Sequence, residues 1–106
     1  MICTYYIEVT QFDNEALFQE KLSLLSPYRQ QKIALLKHRK DKNRSIGAGL
    51  VLNYALGTYG LEERSMEYEF GEWGKPILKY QPCIHFSLSH SGDYAICSIG
   101  EKILKG

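Results

Sequence analysis

The hydrophobic period of this chain changes near its middle, and that change constrains the fold more than any other feature. A short opening stretch, residues 2–9, alternates, with Cys3, Tyr5, Ile7 and Val9 on one side, and reads as a strand. Helical spacing then takes over. Asp13 or Asn14 can cap a helix carrying Leu17, Phe18, Leu22 and Leu25. Ser26 before Pro27 is a start signal for a second helix, which presents Tyr28, Ile33 and Leu36. A third helix is expected from about Asp41 to Thr58, ending near Gly60. Its glycines, Gly47, Gly49 and Gly57, each cost roughly 1 kcal/mol relative to alanine, which points to tight packing or to close approach of a ligand.

Beyond residue 65 the alternation returns. Met66, Tyr68 and Phe70 alternate with Glu67 and Glu69, so 65–70 reads as a strand with one wet face. Gly71 to Pro76 is a turn or loop. Ile84, Phe86 and Leu88 form a strand that turns at Ser91-Gly92-Asp93 into an apolar strand, 94–99, making a hairpin. One strand, three helices and then several strands is an α+β order. A length of 106 residues fits a single domain, 1–106.

A hydrophobic content of 44% with 24% charged residues excludes a disordered chain. No apolar run approaches the ~20 residues of a membrane span, and the first residues lack a signal-peptide pattern, so a cytoplasmic location and no membrane partner are expected. Three widely spaced cysteines, Cys3, Cys83 and Cys97, argue against a disulfide framework and a zinc site. Charge is unevenly placed. Residues 28–44 hold seven Lys and Arg against the single acid Asp41, while the rest of the chain is net acidic. A basic segment on an acidic protein points to a local anionic ligand.

Three stretches could carry chemistry. Arg29 and Lys32 are three apart near a helix start, and Arg44 stands near the start of the next helix, so cations and helix N-terminal amides could cradle a phosphate. The ordinary alternative is a solvated helix face. In Gly74-Lys75-Pro76, Lys75 projects from a loop, and Gly74 would let a flat ligand approach the backbone. The run Ser87 to Gly92 sets three hydroxyls and His90 at a strand end, suited to a phosphate, or to a plain polar turn. A Ser/His hydrolase is disfavoured: the G-x-S-x-G elbow is absent, and Ser89 and His90 point in different directions on an extended chain.

Taken together, the runs SPYRQQKIALLKHRKDKNRSIGAGLVLNYAL, YEFGEWGKPIL and IHFSLSHSGDYAICSIG resemble the N-terminal half of a 4′-phosphopantetheinyl transferase of the two-lobed class that includes the surfactin-synthetase activator. The resemblance extends from about Leu25 to Gly106 and is most specific in GKP followed by HFSLSHSG. It implies a β-α-α-α-β-β lobe with a small antiparallel sheet packed by helices. It implies transfer of phosphopantetheine from coenzyme A to a serine of an acyl or peptidyl carrier protein, with Mg²⁺ and release of adenosine 3′,5′-bisphosphate. Coenzyme A would lie between this lobe and a second one. Arg29, Lys32 and Arg44 would contact its phosphates, Arg44 the 3′-phosphate; Gly74, Lys75 and Pro76 would line the adenine region; Ser89 and His90 would bind phosphate oxygens.

The family's G-[IV]-D-[IV]-E motif, whose carboxylates hold Mg²⁺, would begin where this chain stops, at Lys105-Gly106. No catalytic or metal-binding residue is therefore assigned. The glutamates of 62–72 are expected to face solvent or lie in turns. The chain reads as an N-terminal lobe alone, shortened artificially or the product of a split or degraded gene. Such a lobe would be inactive by itself and would await the missing lobe or self-associate through the exposed lobe face. Two other readings compete. One is a non-catalytic module for an anionic nucleotide or a partner protein. The other is RNA binding through 29–44, disfavoured because no aromatic platform accompanies the basic run, so no nucleic-acid partner is expected.

Overall fold

A computed structural model describes residues 1–101, with the side chain of Trp73 set aside. The terminal Lys105 and Gly106, where the family motif would begin, lie outside the described residues. The elements are β1 (Ile2–Glu8), α1 (Glu15–Leu22), α2 (Pro27–Leu35), α3 (Arg39–Gly57), β2 (Tyr68–Phe70), β3 (Pro76–Leu78), β4 (Ile84–Ser91) and β5 (Tyr94–Glu101). The α+β class is as expected.

The local signals explain most boundaries. Asn14, rather than Asp13, caps α1, its side chain accepting from Leu17 N at 3.0 Å. Leu25 lies past the end of α1 but is buried. Ser26 caps α2 and Pro27 fills its first position. β4 and β5 form an antiparallel hairpin closed at Gly92, whose φ of +57° favours glycine. β1 pairs with the other side of β5, giving the sheet order β1-β5-β4.

α3 crosses the inner face of this sheet. Val51, Leu52, Ala55 and Leu56 of α3 meet Phe86, Cys97 and Ile99 in one core cluster; Ile46 joins Val9, Phe12, Phe18, Leu25, Ile33 and Ala95 in another. Gly47 makes the approach possible, since a Cβ there would stand 2.5 Å from Val9 Cγ1 and 3.2 Å from Ala95 Cβ. Gly57 has no such reason, for a Cβ there would meet nothing within 4 Å.

Two expectations need correction. The predicted strand 65–70 shrinks to β2, because Glu63–Ser65 form a 3-10 turn. β2 pairs antiparallel with β3, so a separate two-stranded sheet stands beside the main one. The glutamates of 62–72 do face solvent at Glu62, Glu67, Glu69 and Glu72, but Glu63 is fully buried within its turn.

Candidate functional site

The start of α2 places the first two cations. Ser26 Oγ accepts from Arg29 N at 3.2 Å, so Arg29 occupies the third helical position and Lys32 follows one turn later. Arg29 is only 2% exposed. Its burial depends on Gly49 of α3, where a Cβ would come within 2.9 Å of Leu25 Cδ2 and 3.3 Å of Arg29 Cγ. α3 contributes Asp41, Arg44, Ser45 and Ala48, which share one helix face by their three- and four-residue spacing. β4 contributes Leu88, Ser89 and His90. These three elements border an open cavity of about 360 Å³.

The polar atoms of the cavity wall are short of partners. Nε and Nη2 of Arg29, Nε of Arg44 and Oγ of Ser45 are buried and make no hydrogen bond. Buried donors left unmatched cost about 1–3 kcal/mol each, more when charged. Asp41 stands 3.6 Å from Arg44 Nη1, a loose pairing that leaves Nε free. Partial burial lowers the pKa of Lys32 below the ordinary lysine value, and the neighbouring positive charge of Arg29 adds to the shift. The cavity therefore concentrates cationic donors and offers them little negative charge.

Five of the residues singled out in the sequence meet here: Arg29, Lys32, Arg44, Ser89 and His90. The other three do not. Lys75 lines a different cavity of about 460 Å³, with Ile2, His85, Ser87 and Gly100. Gly74 and Pro76 line neither of these two cavities, and the φ of +73° at Gly74 explains its glycine as a turn requirement. The difference arises from the β2–β3 pair, which carries Lys75 to the beginning of β4. The two cavities lie against successive stretches of that strand, His85–Ser87 and Leu88–His90.

Ser45 was missed by sequence reasoning. Its signal was present, since a small hydroxyl beside Arg44 with Ala48 three residues on keeps one helix face open. One cation of the basic run proves structural. Arg39 pairs with Glu15 at 2.6 Å, donates to Phe12 O at 2.8 Å and covers the Phe18 ring at 3.9 Å. It ties α1 to α3. Among the described residues no cluster of three or more His, Cys, Asp or Glu could hold a metal ion. None of their helices is long and apolar enough to cross a membrane.

No family model matches the chain. Individual relatives do. It is 31% identical over 95 residues to the 4′-phosphopantetheinyl transferase Sfp of Bacillus subtilis strain 168, covering 89% of this chain and 41% of that one. A further Bacillus subtilis 4′-phosphopantetheinyl transferase is 30% identical over 82 residues, 76% of this chain and 37% of the relative. The 4′-phosphopantetheinyl transferase gsp of Aneurinibacillus migulanus is 27% identical over 100 residues, 93% and 41% of the two chains. The chain thus spans about two fifths of the length of these relatives. Among solved structures, a Bacillus anthracis holo-(acyl-carrier-protein) synthase superposes with a TM-score of 0.67 at 20% identity, covering 92% of this chain and 91% of that one. The Helicobacter pylori holo-[acyl-carrier-protein] synthase, solved with coenzyme A, gives 0.65 at 16% identity, covering 96% and 100%. These two share the fold with this chain. The sequence relatives thus support a 4′-phosphopantetheinyl transferase, matched over about two fifths of such a chain's length, and the solved structures show the fold.

Proposed function

We propose that residues 1–106 form one domain, the coenzyme-A-binding N-terminal lobe of an enzyme that moves 4′-phosphopantetheine from coenzyme A to a carrier-protein serine. One observation carries this reading: the unpartnered N–H groups of Arg29 and Arg44 lie in the wall of one cavity with the Ser45 hydroxyl. A phosphate supplies what these atoms lack. Arginine forks match its oxygens in pairs, and low polarity around them strengthens each contact. Arg29, Lys32 and Arg44 would hold the phosphates of coenzyme A, Arg44 its 3′-phosphate, and Ser89 and His90 would add donors from β4. By the family resemblance, Gly74, Lys75 and Pro76 would line the adenine region, and Lys75 stands beside His85 and Ser87 of β4 in the second cavity. A cytoplasmic setting is consistent with this substrate.

In the transferases that this chain resembles, Mg²⁺ supplies charge neutralisation at the pyrophosphate. The residues described here do not fit it. The cavity holds one carboxylate, Asp41, already facing Arg44, and Mg²⁺ prefers carboxylates alongside phosphates. The part assigned to this lobe is binding and orientation of the nucleotide. The carboxylates would come from a second lobe. That lobe, or a second copy of the chain, would meet the outer face of the main sheet, where Ile2 and Tyr6 are 76% and 72% exposed.

Calorimetric titration tests the reading. Coenzyme A is expected to bind with salt-sensitive affinity, and dephospho-coenzyme A at least about tenfold more weakly, the loss of one charge-assisted phosphate contact. Equal affinity for both, or for any polyanion, would overturn it. A carrier protein incubated with this chain and coenzyme A is expected to stay in its apo form.

A further inference from the structure

The cap of α2 is built from two distant parts of the chain. In the usual capping box, a Ser or Thr at the N-cap is matched by Glu or Gln three residues on, whose side chain takes the N–H of the cap residue itself. Here Ser26 is in place, yet the third position is Arg29. The carboxylate arrives from Glu63, 37 residues away, whose Oε1 accepts from Ser26 N at 2.8 Å. Glu63 is held rigidly. Its Oε2 accepts from the Tyr68 hydroxyl at 2.6 Å, its backbone N–H donates to Asn53 Oδ1 of α3 at 2.9 Å, and it is 0% exposed.

The same cluster reaches Arg29. The Tyr68 ring packs on Tyr28 at 4.9 Å, and the Arg29 guanidinium carbon lies 5.8 Å from the Tyr28 ring centre. Burial, and then the bond to Glu63, raise the pKa of the Tyr68 hydroxyl, so it stays protonated and donates; the nearby charge of Arg29 acts in the opposite sense. A buried carboxylate with two hydrogen bonds and a buried guanidinium with none therefore share one neighbourhood.

We propose that Glu63 is the positioning residue for Arg29: by completing the α2 cap from a remote turn, it leaves the third helical side chain free to enter the cavity as an anion ligand. The inference rests on the nucleotide site proposed above. Glu63 touches no ligand and acts only through the helix start and through the charge it sets near Arg29.

A double-mutant cycle tests this, with adenosine 3′,5′-bisphosphate as the probe. Glu63→Gln should weaken binding about tenfold in the Arg29 protein, the scale of one charged hydrogen bond, and by less than about twofold in the Arg29→Met background. Equal losses in both backgrounds would overturn the proposal, as would no loss in the first. The unliganded proteins give a second readout. Glu63→Gln should lower Tm by several degrees, and adding Arg29→Met should recover most of that fall, because the buried cation that the cap positions is then absent. Additive Tm shifts would contradict the coupling. Tyr68→Phe, which deletes only the hydroxyl, should weaken probe binding by an intermediate factor. If the unmutated protein binds no bisphosphate, the nucleotide reading fails. If it binds and the cycle shows no coupling, only the role of Glu63 fails.

Discussion

At Arg29 a guanidinium with two buried, unpartnered N–H groups is retained where an apolar side chain would pack without that cost. Arg29→Met should therefore raise the stability of the unliganded protein, by about 1–3 kcal/mol in chemical denaturation, while lowering coenzyme A affinity. Lys32 makes a pH prediction. Its pKa is lowered in the fold, by burial first and Arg29 second, so between that value and the ordinary lysine value the unfolded chain holds more protons. Stability from this group rises with pH across that alkaline window. A bound phosphate favours the charged form and moves the value back up. Ligand binding in the window should take up protons, and affinity should fall as pH rises through it; calorimetry in two buffers of different ionisation enthalpy measures the uptake. The phosphate-suited chemistry of Arg29, Lys32, Arg44, Ser89 and His90 was legible locally, but that the five meet in one cavity was implied only by the family resemblance. Glu63 was not legible, because its burial depends on a turn closing against a helix 37 residues earlier in the chain.

α3 shows the same division at the scale of an element. Its three glycines look alike in sequence but differ in what surrounds them. Gly47→Ala would drive a Cβ to 2.5 Å from Val9 Cγ1, a stiff β-branched neighbour, and should destabilise by about 1–3 kcal/mol despite the better helix former. Gly57→Ala meets nothing within 4 Å and should stabilise by up to about 1 kcal/mol. Thermal melts of the two variants should move in opposite directions. The helices and the β4–β5 hairpin were legible from caps, period and turn residues. β3 was not, since three residues carry too little period to register, and its pairing with β2 is a long-range event. That pairing also explains the place of Lys75, which no local pattern could supply.

At the scale of the whole molecule, α3 covers one face of the main sheet, and among the described residues nothing comparable covers the other. Ile2, Tyr6 and Tyr94 stand on the open side, with the Tyr6 and Tyr94 rings edge-on at 5.6 Å. Exposed apolar surface of this kind favours association. Sedimentation velocity should show a concentration-dependent shift above the monomer that Tyr6→Glu abolishes; a single monomeric species at high concentration would argue against the assigned face. The central claim, that a coenzyme A phosphate fills the cavity between α2, α3 and β4, has a direct test in the arginine side-chain Nε–H signals of a ¹⁵N-labelled sample. With coenzyme A, the Arg29 and Arg44 signals should both shift and exchange more slowly, while that of Arg39, already bonded to Asn43 Oδ1 at 3.0 Å, stays in place. Binding of coenzyme A that leaves the Arg29 and Arg44 signals unmoved would contradict the account.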